Sequence, residues 1–191
     1  MTATSRMRLT IERGAEFWND SCSLTELQDA VDHGATGATS NPVIVSSVIK
    51  AEPRVWTPVL DRIVAANPAA TEDEIAWLLI EEVGRQAAAI LAPVHERTKG
   101  RQGFLSMQVS PKYYANAARM VEHGKSLAAL APNIAIKVPS TAAGVAAAEE
   151  LVAAGINVNA TVSFTVSQAV TVAEAFERGL DRAAKSGADM S

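Results

Sequence analysis

The stretch NIAIKVPSTAAGVAAAEELVAAGINVNATVSF, residues 133–164, decides the fold class of this 191-residue chain. Its first apolar run, 133–138, predicts a buried strand, and the alanine-rich segment 141–154 predicts the helix that follows. A second strand is predicted at 155–164. A strand, a helix and another strand in this order are typical of a βαβ unit with parallel strands.

The same alternation continues on both sides of this stretch. Further strands are predicted at 15–20, 35–42 and 103–109, and a long last helix at 165–187. Capping-box patterns predict that helices begin after Ser23 and Thr71. Two prolines, Pro53 and Pro58, are expected to break residues 43–68 into separate helical pieces, and Pro111 is expected to begin a helix that runs to about Leu130.

Five predicted strand–helix pairs fit either an open doubly wound sheet or a (β/α) barrel. The first joint, NDSCSLTE at 19–26, lacks the glycine-rich loop of dinucleotide-binding folds. Barrel enzymes hold their active sites at the carboxyl ends of the strands. Polar residues lie at or near those ends here, namely Asp20, Asn41, Gln108, Lys137, Asn159 and Thr161. We therefore predict an α/β fold of the (β/α)8 TIM-barrel type.

The predicted barrel is incomplete. A closed barrel needs eight βα units and typically ~250 residues, whereas about five units are predicted in this chain. We expect residues 1–191 to form a single barrel domain that lacks its C-terminal strands.

The composition argues against several classes of function. With a net charge of −4, the chain lacks the basic character of proteins that bind nucleic acid or an anionic membrane. Neither a signal-peptide pattern nor an apolar run of ~20 residues is present. Cys22 is the single cysteine, so neither a disulfide framework nor a thiolate metal cluster is expected. These features predict a cytoplasmic protein.

Lys137 is unusual because it lies within a strand that is predicted to be buried. Burial disfavours the ammonium form of a lysine, and the neutral amine is a nucleophile toward a ketone or an aldehyde. The resulting Schiff base withdraws electrons from the neighbouring carbon–carbon bond. The alternatives are structural: a side chain that reaches solvent from an edge strand, or one half of a buried ion pair.

The other polar residues also have two interpretations each. Asp20 could act as a general acid–base or could cap the helix that follows it, and the neighbouring Asn19 could face inward instead. Asn41, within TSNP, is also typical of a turn. Asn159 and Thr161 lie two residues apart and so face one side of their strand. Buried polar groups there need partners, which a polyhydroxy substrate or a bound water could supply.

Taken together, these motifs resemble those of the transaldolase family. The segment GATGATSNPVIV at 34–45 is similar to that family's signature after the second strand. Residues 136–169 resemble its Schiff-base lysine strand and the next strand, and FWNDSCS at 17–23 occupies the place of its first-strand aspartate.

The resemblance implies transfer of a dihydroxyacetone unit between sugar phosphates, as in the pentose phosphate pathway. Lys137 would attack the ketose carbonyl, and Asp20 would take the proton of the C4 hydroxyl as the C3–C4 bond breaks. Asn41 and Asn159 would hold the dihydroxyacetone fragment, and Thr161 would help to position the catalytic water.

Ser140 is a further substrate-binding candidate that could instead shape the turn after the lysine strand. The resemblance implies no metal or organic cofactor, because the iminium itself withdraws electrons. The three histidines, His33, His95 and His123, lack the spacing of metal ligands and are expected on helix surfaces or in the core.

Gln108 departs from the family's pattern. Transaldolases of the family have a glutamate on the third strand, whereas the related fructose-6-phosphate aldolases have a glutamine. A glutamine can orient a water but cannot accept its proton, so a lyase that releases dihydroxyacetone is an alternative.

The family's phosphate-binding arginine and serine lie on the sixth strand, which would follow residue 191. A catalytically incomplete barrel that self-associates through exposed sheet edges is therefore a third possibility.

Overall fold

The structure, a computed structural model, describes residues 6–187, within which strands alternate with helices. The strands are β1 (Trp18–Asn19), β2 (Gly37–Thr39), β3 (Phe104–Gln108), β4 (Ile134–Pro139) and β5 (Val158–Thr161). The helices are α1 (Arg6–Glu12), α2 (Leu24–Asp32), α3 (Pro42–Ala51), α4 (Pro53–Ala66), α5 (Glu72–Arg97), α6 (Ala117–Ala128), α7 (Ala142–Ala153) and α8 (Val166–Ser186). The chain divides into two compact units between Leu105 and Ser106.

The strand order follows the chain, β1-β2-β3-β4-β5. The pairings of β1 with β2 and of β4 with β5 are parallel. A doubly wound sheet reverses its strand order at a switch point, whereas the strands of a (β/α) barrel follow one another without reversal. The predicted α/β class is therefore confirmed, and the fold is consistent with part of a TIM-barrel-type domain. That residues 1–191 form one domain stays a prediction.

In the first unit, the long helix α5 packs against α2, α3 and α4. Ser23 caps α2 by accepting a hydrogen bond from the backbone N–H of Glu26, as predicted. The carboxylate of Glu52 joins two of these helices, since it accepts hydrogen bonds from the Ser23 hydroxyl at 2.7 Å and from the Trp56 indole at 3.2 Å. Trp56 is completely buried and anchors α4.

Two expectations about proline were wrong. Pro58 lies inside α4 and does not break it. Its ring is exposed, so solvent can reach the carbonyl that the missing N–H leaves unpaired, and burial of the nearby Trp56 offsets the local cost. Pro111 begins a 3-10 turn, Pro111–Tyr113, instead of α6. That helix begins at Ala117 because the side chain of Asn116 accepts the backbone N–H of Arg119.

In the second unit, strand residues alternate between an apolar face and a polar face. The apolar face includes Met107, Ile136 and Val138, all of which are buried. Strand β4 packs against α6 and α7, so this alternation leaves the opposite face of β4 turned away from the helices. None of the helices within residues 6–187 has both the length and the apolarity needed to cross a membrane.

Candidate functional site

The polar face of the second unit brings Lys137 and Asn159 side by side. Strands β4 and β5 are in a parallel register that pairs Lys137 with Asn159 and Pro139 with Thr161. Register partners in neighbouring strands point to the same face of a sheet. Both Lys137 and Asn159 are partly buried. The two residues predicted to form the Schiff base and to hold its substrate fragment are therefore neighbours.

A serine that the sequence analysis did not single out orients Asn159. The Nδ2 group of Asn159 donates a hydrogen bond to the Ser106 hydroxyl at 3.0 Å. Ser106 lies in β3 and is completely buried. It is two residues from Gln108 and therefore on the same face of its strand, which is the signal that could have identified it.

The environment of Lys137 differs from the one expected. Its side chain is partly rather than fully buried. Its backbone carbonyl accepts a hydrogen bond from Val109 at 3.1 Å, which fixes β4 beside the end of β3. Across residues 6–187, no carboxylate lies within ion-pair distance of its ammonium group. The alternative of a buried ion pair is thus not what the structure shows.

Gln108 and Thr161 line one small cavity at the carboxyl ends of the strands. Its volume is about 160 Å³, and Pro139, Tyr114 and Val162 also contribute to its wall. At about 30 Å³ for each water in the liquid, such a space suits a few water molecules. Lys137 and Asn159 are not among the residues that line it. A role for Gln108 and Thr161 in ordering water is consistent with this geometry.

In the first unit, Asp20 is held by a threonine. Asp20 follows β1 directly and is exposed, and its Oδ1 accepts a hydrogen bond from the Thr39 hydroxyl of β2. The cap of α2 is Ser23, so the alternative role of Asp20 as that cap is not observed. The carboxylate is therefore oriented by a neighbouring strand and accessible to solvent.

Asn41 caps a helix through one end of its amide. Its Oδ1 accepts hydrogen bonds from the backbone N–H groups of Val43 at 2.9 Å and Ile44 at 3.0 Å, which begins α3. The oxygen therefore has a structural role as a helix cap. Within the described part of the chain, its Nδ2 group has no hydrogen-bond partner. That group, held in a fixed direction by the cap, is the end of the side chain that could bind a hydroxyl.

Ser140 is buried, and its hydroxyl is occupied by protein groups. It donates to the carbonyl of Thr161 at 3.0 Å and lies 2.5 Å from the hydroxyl of Ser163. These contacts tie the residue that follows β4 to the end of β5, and both predicted roles of Ser140, binding substrate and shaping the turn after the lysine strand, stay predictions.

A family model described as transaldolase/fructose-6-phosphate aldolase matches residues 17–189 of the chain. The chain belongs to the transaldolase/fructose-6-phosphate aldolase family. A transaldolase from Thiobacillus denitrificans is 35% identical over 185 residues, which is 93% of this chain and 51% of that protein. Transaldolase 2 from Streptomyces avermitilis is 33% identical over 198 residues, or 98% of this chain and 52% of the relative.

A transaldolase from Neisseria meningitidis serogroup C is 31% identical over 194 residues, covering 91% of this chain and 51% of that protein. The chain thus spans about half the length of the curated relatives that it matches. The predicted family is confirmed.

In this member of the transaldolase/fructose-6-phosphate aldolase family, a histidine supports the cavity wall. The Nδ1 atom of His123 accepts a hydrogen bond from the backbone N–H of Ser110 at 3.0 Å, and its ring contacts Tyr113 edge-on. Burial lowers the pKa of His123. Accepting at Nδ1 requires that this atom carry no proton. Sequence reasoning missed this role because no local pattern links a histidine in a helix to a loop 13 residues earlier.

Proposed function

We propose that the chain transfers a dihydroxyacetone unit between sugar phosphates through a Schiff base on Lys137, as in the pentose phosphate pathway. The observation that carries this proposal is the register of β4 and β5, which sets Lys137 beside Asn159 on one polar face. Membership of the family and the names of the relatives support the reaction class.

The bond-breaking and bond-forming steps of the proposed reaction use Lys137 and Asp20. The neutral amine of Lys137 adds to the ketose carbonyl, and loss of water gives an iminium. Asp20 accepts the proton of the C4 hydroxyl, the C3–C4 electrons move into the iminium, and an aldose leaves. The remaining enamine then attacks the aldehyde carbon of a second aldose, and hydrolysis of the new iminium releases the product ketose and restores Lys137.

The remaining polar groups have supporting roles in this proposal. Asn159, oriented by Ser106, and the Nδ2 group of Asn41 would bind the hydroxyls of the three-carbon unit. Gln108 and Thr161 would order the water that hydrolyses the iminium. Neither a metal nor an organic cofactor takes part. We place this activity in the cytoplasm, since a single cysteine suits a reducing compartment.

Trapping with borohydride tests the proposal directly. The chain is incubated with fructose 6-phosphate, reduced, digested and analysed by mass spectrometry. We expect a dihydroxyacetone-derived adduct on Lys137 that is absent from Lys137→Met and retained in Lys125→Met, which removes an exposed lysine of α6. Failure of folded protein to form the adduct would contradict Schiff-base chemistry in this chain and favour a catalytically incomplete member of the family.

Gln108 favours a second candidate, a fructose-6-phosphate aldolase-like lyase that releases free dihydroxyacetone. Products are compared with and without an aldose phosphate acceptor, because only transfer needs the acceptor. We expect Gln108→Glu to raise the rate of transfer, since a carboxylate can take a proton from the water that glutamine only orients. Leucine can neither orient a water molecule nor accept its proton, so Gln108→Leu should slow both the transfer and the lyase reaction. An unchanged transfer rate in Gln108→Glu would refute this role in handling water.

The apolar surface near β5 favours self-association as a further property. Strand β5 stands at the end of the strand order, and the side chains of Phe164 and Val166 that follow it are 86% and 82% exposed. Such groups on a sheet edge can be covered by a second copy of the chain. We propose a homo-oligomer formed through this edge.

A further inference from the structure

The backbone at Val162 adopts a conformation that β-branched residues rarely adopt. Its φ angle is +57°, in the left-handed region. In this region the side chain of an L-residue crowds its own backbone, and a β-branched side chain makes the crowding worse. Val162 directly follows Thr161, and both residues line the same cavity as Gln108. Contacts outside Val162 must therefore hold this turn in place.

Ser140 supplies contacts on both sides of the turn. Its backbone N–H and its hydroxyl both donate to the carbonyl of Thr161, at 2.8 Å and 3.0 Å. Its hydroxyl oxygen also lies 2.5 Å from that of Ser163. Thr161 and Ser163 flank Val162, so a single serine fixes the chain immediately before and after the strained residue. Ser140 is only 7% exposed, which shields these hydrogen bonds from competing water.

Gln168 in the first turn of α8 completes the arrangement. Its Oε1 accepts the backbone N–H groups of Phe164 at 3.0 Å and Thr165 at 3.1 Å. Its Nε2 donates to the carbonyl of Ser140 at 3.3 Å. The residues after the turn are thus tied to the beginning of α8, and α8 is tied back to Ser140.

We propose that Ser140 is a positioning residue, which clamps the strained turn at Val162 and so sets the place of Thr161 in the cavity wall. This role differs from direct binding of substrate, since its hydroxyl already bonds to protein groups. Its consequence for catalysis rests on the proposed function. The clamp itself is a property of the free protein.

Amide hydrogen exchange tests the clamp without any substrate. Ser140→Ala keeps the backbone N–H at 140 but removes both hydroxyl contacts. We expect the amides of residues 140, 164 and 165 to exchange faster by about tenfold or more, because the turn can relax once it is released. Ser186→Ala, which removes another serine-to-carbonyl hydrogen bond at the far end of α8, should leave these amides unchanged.

A second substitution separates clamping from ordinary hydrogen bonding. Glycine adopts positive φ without steric cost, whereas isoleucine retains the β-branch. We therefore expect Ser140→Ala/Val162→Gly to recover slow exchange and Ser140→Ala/Val162→Ile not to recover it. Unchanged exchange in Ser140→Ala, or equal behaviour of the two double variants, would overturn the proposal. If Ser140→Ala does not fold, Ser163→Ala removes one of the contacts and should accelerate the same amides to a smaller extent.

The consequence for catalysis is tested by two measurements, the formation of the borohydride-trapped adduct on Lys137 and the rate of transfer. In Ser140→Ala the adduct on Lys137 should still form, while turnover falls by about 10- to 100-fold, the loss expected from misplacing a reacting group by up to 1 Å. Val162→Gly in this background should restore most of the rate. If the unaltered chain forms no adduct, the proposed function fails, and the exchange data still decide whether Ser140 clamps the turn.

Discussion

His123 connects the protonation of one side chain to the loop that lines the cavity. Burial lowers the pKa of His123 in the folded protein below the ordinary value of 6.5, which applies to the unfolded chain. At a pH between the folded-state pKa and 6.5, the unfolded chain therefore binds a proton that the folded chain does not. The free energy of unfolding therefore falls as the pH is lowered from 6.5 toward the folded-state pKa, and His123 has no such effect well above 6.5. We expect lower urea midpoints at about pH 5 than at about pH 8.

His123→Asn isolates this effect, because Asn places an acceptor near the position of Nδ1 but does not titrate. Arg119 is a nearby positive charge, because its guanidinium lies 4.5 Å from the centre of the Tyr113 ring, which contacts His123. This charge is the same in the unaltered protein and in the variant. The pH-dependent loss of stability should be smaller in the variant. An identical loss in both proteins would show that His123 is not the titrating group.

At the residue scale, strand periodicity made part of the site predictable. Because side chains alternate along a strand, the spacing of Asn159 and Thr161 placed them on one face, and the parallel register then set Asn159 beside Lys137. The Ser106–Asn159 hydrogen bond could not be predicted, since it joins residues 53 positions apart. The partial exposure of Lys137 also depends on neighbours that its own strand does not specify.

At the scale of single elements, Gly144 permits the junction between β4 and α7. A Cβ atom added there would lie 1.8 Å from the carbonyl oxygen of Pro139, the last residue of the lysine strand. Backbone cannot move aside as a side chain can, so we expect Gly144→Ala to lower the free energy of unfolding by about 3 kcal/mol or more. Chemical denaturation measures this loss.

Gly124→Ala is the matched comparison for this prediction. Its added Cβ would meet only side chains, those of Leu151 and Ile136, at 3.0–3.1 Å. These can shift by a few tenths of an ångström, so the loss of stability should be clearly smaller. Equal losses for the two variants would mean that α7 moves freely relative to the end of β4.

The first residue of a helix could be predicted where a side chain caps that end of the helix. Thr71 forms both hydrogen bonds of its predicted capping box, and Thr165 forms another at the beginning of α8. Helix α4 is not broken at Pro58, contrary to the prediction, because burial of Trp56 stabilises the helix through that position. A rule based on the proline alone does not consider this burial. Caps are local interactions and could be predicted, whereas tertiary burial could not.

At the scale of the whole molecule, the exposed apolar side chains next to β5 predict self-association. Single exposed apolar residues are common, but Phe164 and Val166 are both more than four-fifths exposed and adjoin the last strand in the order. Burial of these side chains against a second copy contributes a favourable free energy of about 25 cal/mol for each Å² of apolar area removed from water. We expect the weight-average mass from light scattering to rise with protein concentration and to change little with added salt, since the contact is apolar.

Phe164→Asp/Val166→Asp should keep the mass at that of one chain over the same range, because two charges would then face the partner copy. Both side chains are exposed, so little packing is lost within the protein. Val43→Asp is the matched control, since Val43 is 75% exposed and lies on α3 in the first unit. If the unaltered chain has the mass of a monomer at every concentration, or if Val43→Asp reduces association as strongly as the double variant, the β5 edge is not the interface.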